Sequence, residues 1–133
     1  MAQRTLEVRT SRREELFDLT PKLNDALHEI GVTSGLMTVY CPHTTAGITI
    51  NENSDPDVRE DMLHILRRIV PREGGYRHAE GNADAHMKAS LIGASATVPV
   101  ENGMMLLGHW QAVFLCEFDG PRTRKVVVHV LGG

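Results

Sequence analysis

WQAVFLCEFDGPRTRKVVVHVL, residues 110–131, decides the fold. Its two runs are rich in Val, Phe, Leu and Cys and flank the glycine-containing turn DGPR, so it reads as two strands joined by a turn. Along the first, Trp110, Ala112, Phe114, Cys116 and Phe118 share one face, and Gln111, Val113, Leu115 and Glu117 share the other. Upstream, ATVPV and MMLLG are strand-like around an ENG turn. LMTVYCP and TAGITIN are β-rich with a bend at Pro42-His43, and TLEVRT and REELFDL supply two more candidates.

Helical signals interrupt these strands. Thr20-Pro21 offers a hydroxyl cap with proline in the first turn, Leu23, Ala26, Leu27 and Ile30 form an apolar stripe, and Gly31 ends it. Asp55-Pro56 repeats the cap signal, with Val58, Met62, Ile65, Leu66 and Ile69 on one face and Pro71 as terminator. HMKASLIG reads as a short helix closed by Gly93. The expectation is an α+β fold: one domain over residues 1–133, a mostly antiparallel sheet and two or three helices.

Bulk properties narrow the function classes. The 133 residues are 41% hydrophobic, 23% charged and 5% aromatic, with formal net charge −3. A basic stripe with stacking aromatics is missing, which argues against nucleic acid as a partner. No apolar run is long enough to span a membrane, and MAQRTLEVRT lacks the apolar segment of a secretion signal. Cys41 and Cys116 both lie in apolar segments, as reduced thiols of a cytoplasmic protein would. Seven histidines are the first hint of chemistry.

Two polar stretches concentrate that hint. In HTTAGITINENSDPD (43–57), extended alternation places His43, Thr45, Gly47, Thr49 and Asn51 on one face, either lining a wet cleft or simply meeting solvent. Asp55 reads first as a helix cap, and Asn51, Glu52 and Asn53 precede a helix N-terminus that favours anions. HAEGNADAH (78–86) lies in the one long polar connection, residues 72–84. Imidazole and carboxylate suit divalent transition metals, although the H-x7-H spacing matches no strong metal motif. Gly81 and Asn82 suit a left-handed turn bringing His78 towards His86, and Asp84 is placed to cap the helix carrying His86. Glu117, a carboxylate within an apolar strand, is either paired with Arg122 or Arg124 or tuned for catalysis. Trp110 reads as core or interface packing.

HTTAGITINENSDPD, HAEGNADAHMKASLIG, GHWQ and CEFDGPR together resemble the YjbQ family, over about Leu36 to Val130. One departure is His109, where the family often has threonine before Trp-Gln. The resemblance implies a YjbQ-like α+β sandwich assembling as a homotrimer, with a cleft near subunit contacts. It also implies a thiamine-phosphate synthase activity described as secondary, joining a pyrimidine diphosphate to a thiazole phosphate with release of pyrophosphate. On that basis Glu52, Asn82 and Glu117 are the candidate catalytic residues. Asn51, Asp55, Gln111 and Arg122 are expected to bind a phosphorylated substrate. His43, His78 and His86 are expected to hold a divalent metal: zinc, manganese or magnesium. A metabolite-binding module and a metal-dependent phosphate-ester hydrolase are the alternatives.

Overall fold

The computed structural model describes residues 2–132. Its elements run β1 (Ala2–Arg9), β2 (Glu15–Asp18), α1 (Thr20–Ile30), β3 (Ser34–Tyr40), β4 (Ala46–Glu52), α2 (Pro56–Ile69), α3 (Ala83–Ile92), β5 (Ser95–Glu101), β6 (Met104–Met105), β7 (Gln111–Glu117) and β8 (Thr123–Gly132). Two antiparallel sheets result, one ordered β1-β8-β3-β5-β6 and the other β2-β7-β4. The α+β fold with mostly antiparallel strands read from the sequence, and the sandwich implied by the resemblance, are the observed architecture.

Strand β7 organises the layers because both of its faces are apolar. Val113 and Leu115 turn inward and join Val8, Met37, Val39, Val126, Val128 and the α1 residues Leu23 and Leu27 in the core between the sheets. Ala112, Phe114 and Cys116, with Phe118 beyond the strand, turn outward onto Leu63 and Leu66 of α2 and Ala85 and Ala89 of α3. The helices therefore cover the far side of the small sheet, where an exposed run of phenylalanine and cysteine would otherwise face water. α3 lies close to β4 at Gly47, where an added Cβ would meet the Gly93 carbonyl at 2.6 Å and Ile92 Cγ2 at 3.1 Å.

Several local expectations are corrected. Thr20 does not cap α1: its Oγ1 accepts from Val113 N at 3.0 Å, while Asp18 Oδ1 accepts from Thr20 N at 2.9 Å. The stripe of α2 is rotated, with Leu63 buried and Ile65 and Ile69 exposed. Trp110 is not core; it is exposed and stacks edge-on against His109, with ring centroids 4.3 Å apart. His43 and Thr45 precede β4 rather than extending its face, because the chain bends there as it crosses between the sheets. The Asp55 cap is present, its side chain accepting from Asp57 N at 2.9 Å.

The close approach at Gly47 yields a stability test. Gly47→Ala forces β4 and α3 apart and is expected to cost about 1–3 kcal/mol. Chemical denaturation checks this, a change below about 0.5 kcal/mol meaning that α3 is not seated on β4 as described.

Candidate functional site

Residues 41–45 carry the chain from the large sheet to the small one and are pinned at three points. Cys41 N donates to Ala94 O at 2.8 Å, Phe118 N donates to Thr45 O at 3.2 Å, and Lys125 N donates to His43 Nε2 at 2.9 Å. The last bond fixes chemistry as well as geometry. An Nε2 that accepts an amide hydrogen leaves neutral His43 with its proton on Nδ1, a hydrogen-bond donor. Burial, and after it the positive charge of Arg124, lower the pKa of His43 below its ordinary 6.5.

Behind this loop lies a fully buried ion pair. Arg124 of β8 donates through Nε to Glu117 Oε1 of β7 at 2.9 Å, and through Nη2 to Glu117 Oε2 and, at 2.9 Å, to Thr45 Oγ1. Thr10 Oγ1 donates to Glu117 Oε1 at 2.7 Å, and Asp119 N donates to Oε2 at 3.1 Å. With 0% exposure and both oxygens engaged, Glu117 positions Arg124 and does not reach the cleft. The paired reading is the observed one, with Arg124 rather than Arg122 as the partner.

The opposite wall is the start of α3. Gly81 adopts φ 76°, the left-handed conformation expected of it, while Asn82, at φ −129°, does not. Asp84 does not cap the helix. It is buried inside the first turn, where Arg13 Nη2 donates to Oδ1 at 3.1 Å and Lys88 Nζ donates to Oδ2 at 2.8 Å. Burial pushes the Asp84 carboxyl up, but the bonds and charges of Arg13 and Lys88 outweigh it and its pKa is lowered. Lys88, 1% exposed, also donates to Glu14 Oε2 at 2.7 Å. This network ties one side of α3 to the segment before β2. His86, about 200° round the helix from Asp84, points the other way. The turn at Gly81 brings the rings of His78 and His86 to 5.3 Å, edge to face.

Between the walls is a cleft of about 370 Å³ lined by His43, Thr45, Asn82, His86, Arg122 and Arg124, among others. An adjoining hollow towards Ala89 and Ala94 shares His43 and His86. Arg122 is half exposed and is held by Asp119, with Nη2 donating to Oδ2 at 2.8 Å and Nε to the Asp119 carbonyl at 2.7 Å. Asp119 Oδ2 also accepts from Asn82 Nδ2 at 2.8 Å. Asn82 Oδ1 is the one fully buried side-chain polar atom without a hydrogen-bond partner among the described residues. An unmet acceptor of this kind costs about 1–3 kcal/mol.

The remaining predicted residues lie elsewhere. Cross-strand register pairs Ala46 with Glu117 at one end of β4 and β7, and Glu52 with Gln111 at the other, about 20 Å away. At that far end Asn51 Oδ1 accepts from Glu52 N, Glu52 accepts from Ser54 Oγ, and Gln111 Oε1 accepts from Gly108 N. Asp55 caps α2 there, and His109 stacks on Trp110. Within one chain these residues do not join the histidines, and His109 adds no imidazole to the cleft. The metal expectation meets a similar division. His78 and His86 are adjacent and His43 and His86 share the cleft, yet among the described residues no three His, Cys, Asp or Glu side chains converge on a common point. One chain's histidines therefore do not by themselves fit a three-ligand metal site.

Of the two readings of the His43–Thr45 face the wet cleft is the observed one, whereas sequence reasoning missed Arg124 as a cleft residue, Lys88 as the anchor of α3 and Asp119 as the support of Asn82 and Arg122. The Asp84–Lys88 spacing signals an ion pair, but nothing in the sequence says that the pair is buried.

Two consequences can be measured. Glu117→Ala strands a buried guanidinium and is expected to cost about 3–5 kcal/mol in chemical denaturation, against less than about 0.5 kcal/mol for Glu52→Ala. Because folding lowers the pKa of His43, its contribution to stability is complete above its ordinary 6.5 and is lost as pH falls through the lowered value. Denaturation midpoints should therefore decline on mild acidification, and less so in His43→Gln; parallel profiles would contradict the assignment. Asp84 and Asp119 lose their contributions only below their ordinary 3.8, so the two windows separate.

The family described as UPF0047 protein YjbQ-like matches residues 4–133. UPF0047 protein YugU of Bacillus subtilis is 52% identical over 130 residues, covering 97% of this chain and 98% of that protein. A crystal structure of an uncharacterized conserved YjbQ/UPF0047 family protein from Clostridium acetobutylicum superposes with TM-score 0.93 at 49% identity, covering 96% of this chain and 98% of that one. Hypothetical protein APE1520 of Aeropyrum pernix superposes with TM-score 0.95 at 37% identity over the full length of both chains. With both its fold and its sequence matching these proteins over nearly the whole length, the chain belongs to the UPF0047 (YjbQ-like) family.

Proposed function

We propose that the protein is a small enzyme that acts on a phosphorylated small molecule in the cleft between residues 41–45 and the start of α3. The observation that carries this reading is the convergence of two imidazoles, His43 and His86, with two guanidinium groups, Arg122 and Arg124, on one cleft. Guanidinium groups pair with phosphate oxygens, and imidazoles transfer protons near neutral pH. Arg122, half exposed, is held by Asp119 at the cleft, where its guanidinium can meet a phosphate; Arg124 is fixed by Glu117 and Thr45. His43 offers Nδ1–H to a departing phosphate or diphosphate oxygen, and His86 serves as the second acid or base.

The specific reaction proposed is the one the family resemblance suggests, formation of thiamine phosphate with loss of pyrophosphate. Glu52, Asn51, Asp55 and Gln111 have no part in it within one chain. The homotrimer and the cytoplasmic location implied by the resemblance belong to the same proposal. Among the described residues no helix is long and apolar enough to cross a membrane.

The test is to incubate the protein with the pyrimidine diphosphate and thiazole phosphate, with and without added zinc, manganese or magnesium, and to measure thiamine phosphate and pyrophosphate. The wild type should form both products. His86→Ala should lose at least about 100-fold in kcat, and Arg122→Ala should act mainly on KM. Undiminished turnover in His86→Ala contradicts the assignment. Tight binding of a phosphorylated ligand with no product would make the protein a binding module instead.

A further inference from the structure

The cleft continues beyond its arginines. The adjoining hollow, about 370 Å³, shares His43, Thr44 and His86 with it and runs on past Ser90, Gly93 and Ala94. Helix geometry sets the order. Asn82, His86, Ser90 and Gly93 follow one another along one side of α3, with His86 about 6 Å along the axis from both Asn82 and Ser90. The arginine-lined cleft therefore occupies the start of α3 and the hollow its end, and His86 stands at the junction.

The two halves differ in charge. Arg122, Arg124 and Glu80 line the first, whereas among the described residues no Asp, Glu, Lys or Arg lines the second. The floor of the hollow is open to a ligand. Thr44, Ser90 and Ala94 are exposed, Gly93 is partly so, and a Cβ built on Gly93 would meet nothing within 4 Å. Yet the floor has little hydrogen bonding left to offer. Ala94 O accepts from Cys41 N at 2.8 Å, Gly93 O accepts from Ile48 N at 3.0 Å, and Gly93 N donates to Ala89 O at 2.9 Å. Ser90 Oγ donates to His86 O at 2.9 Å. A charged group placed here would give up water and gain no counter-ion, whereas an apolar group gains by leaving water.

We propose that this hollow is a second subsite, which takes the uncharged organic part of a ligand whose phosphate or diphosphate lies against Arg122. The inference rests on the reading of the cleft as a phosphate-ligand site, and adds the ligand's direction and the class of its organic part. The anionic group lies at the start of α3 and the organic group over Ser90, Gly93 and Ala94. The bond joining them lies beside His43 and His86.

Amide-resolved NMR titrations test this with three probes: inorganic phosphate, benzyl phosphate, and phosphoethanolamine with its charged tail. All three should move the amide of Arg122, and only benzyl phosphate should also move those of Ser90, Gly93 and Ala94. The wild type should bind benzyl phosphate about tenfold more tightly than either other probe. Ser90→Leu or Ala94→Leu, at exposed positions, should fill the hollow and remove that preference while leaving inorganic phosphate bound as before. Arg122→Ala should instead weaken all three probes by a similar factor. Three results would each overturn the subsite while leaving the phosphate site intact: benzyl phosphate binding no tighter than inorganic phosphate, phosphoethanolamine binding tightest, or a ring preference that survives both leucine variants. If no probe binds, the phosphate-site reading itself falls and the subsite falls with it.

Discussion

The bond between Arg124 and Glu117 joins the two sheets, and the candidate site is built on it. Arg124 belongs to β8 of the five-stranded sheet and Glu117 to β7 of the three-stranded one. Thr10, just after β1, and Thr45, just before β4, complete the bonding around the pair. Three regions distant in sequence, around Thr10, around Thr45 and over 117–124, thus meet at one desolvated charge pair. Such a pair adds little net stability over an apolar substitute, but it is costly to break and specifies how the sheets meet. Here the meeting also creates the cleft. The same arginine that closes the joint lines the cavity, and its charge helps keep His43 neutral.

A second set of buried charges aims the opposite wall. Lys88 and Asp84 spend their interactions on Arg13 and Glu14, which fixes the rotation of α3 and leaves His86 on the cleft side. Each histidine of the cleft is therefore held by a structural network that does not itself touch the ligand space. His43 is oriented by a backbone amide of β8, and His86 by the anchoring of its helix. This division between positioning groups and reacting groups suits acid–base chemistry, which depends on orientation.

Much of the fold was legible in the sequence because strand and helix periodicities are local. The doubly apolar β7, the Asp55 cap and the closing glycine of α1 all follow from neighbours within a few positions. The rotated face of α2 was not legible. Its composition allows two apolar stripes, and only the tertiary packing against Phe114 and Phe118 chooses Leu63 over Ile65 and Ile69. The approach of His78 to His86 was readable from Gly81, since a left-handed glycine turns the chain back on itself. The division of the predicted residues was not. Motifs adjacent in sequence, such as His43-Thr44-Thr45 and Asn51-Glu52, are carried about 20 Å apart by the strand between them. Asp84 shows the same limit: a polar residue at a helix start resembles a cap until its partners, 71 residues upstream at Arg13 and one turn on at the buried Lys88, are known.

The most direct test of this account is a crystal structure of the protein soaked with pyrophosphate, a ligand that carries the charge of the proposed leaving group and nothing else. The account predicts density in the cleft, with oxygens within hydrogen-bonding distance of Arg122 and of at least one of His43 Nδ1 and His86. Density confined to the far end of β4 and β7, beside Glu52, Trp110 and Gln111, would contradict it and move the site to the other end of the small sheet.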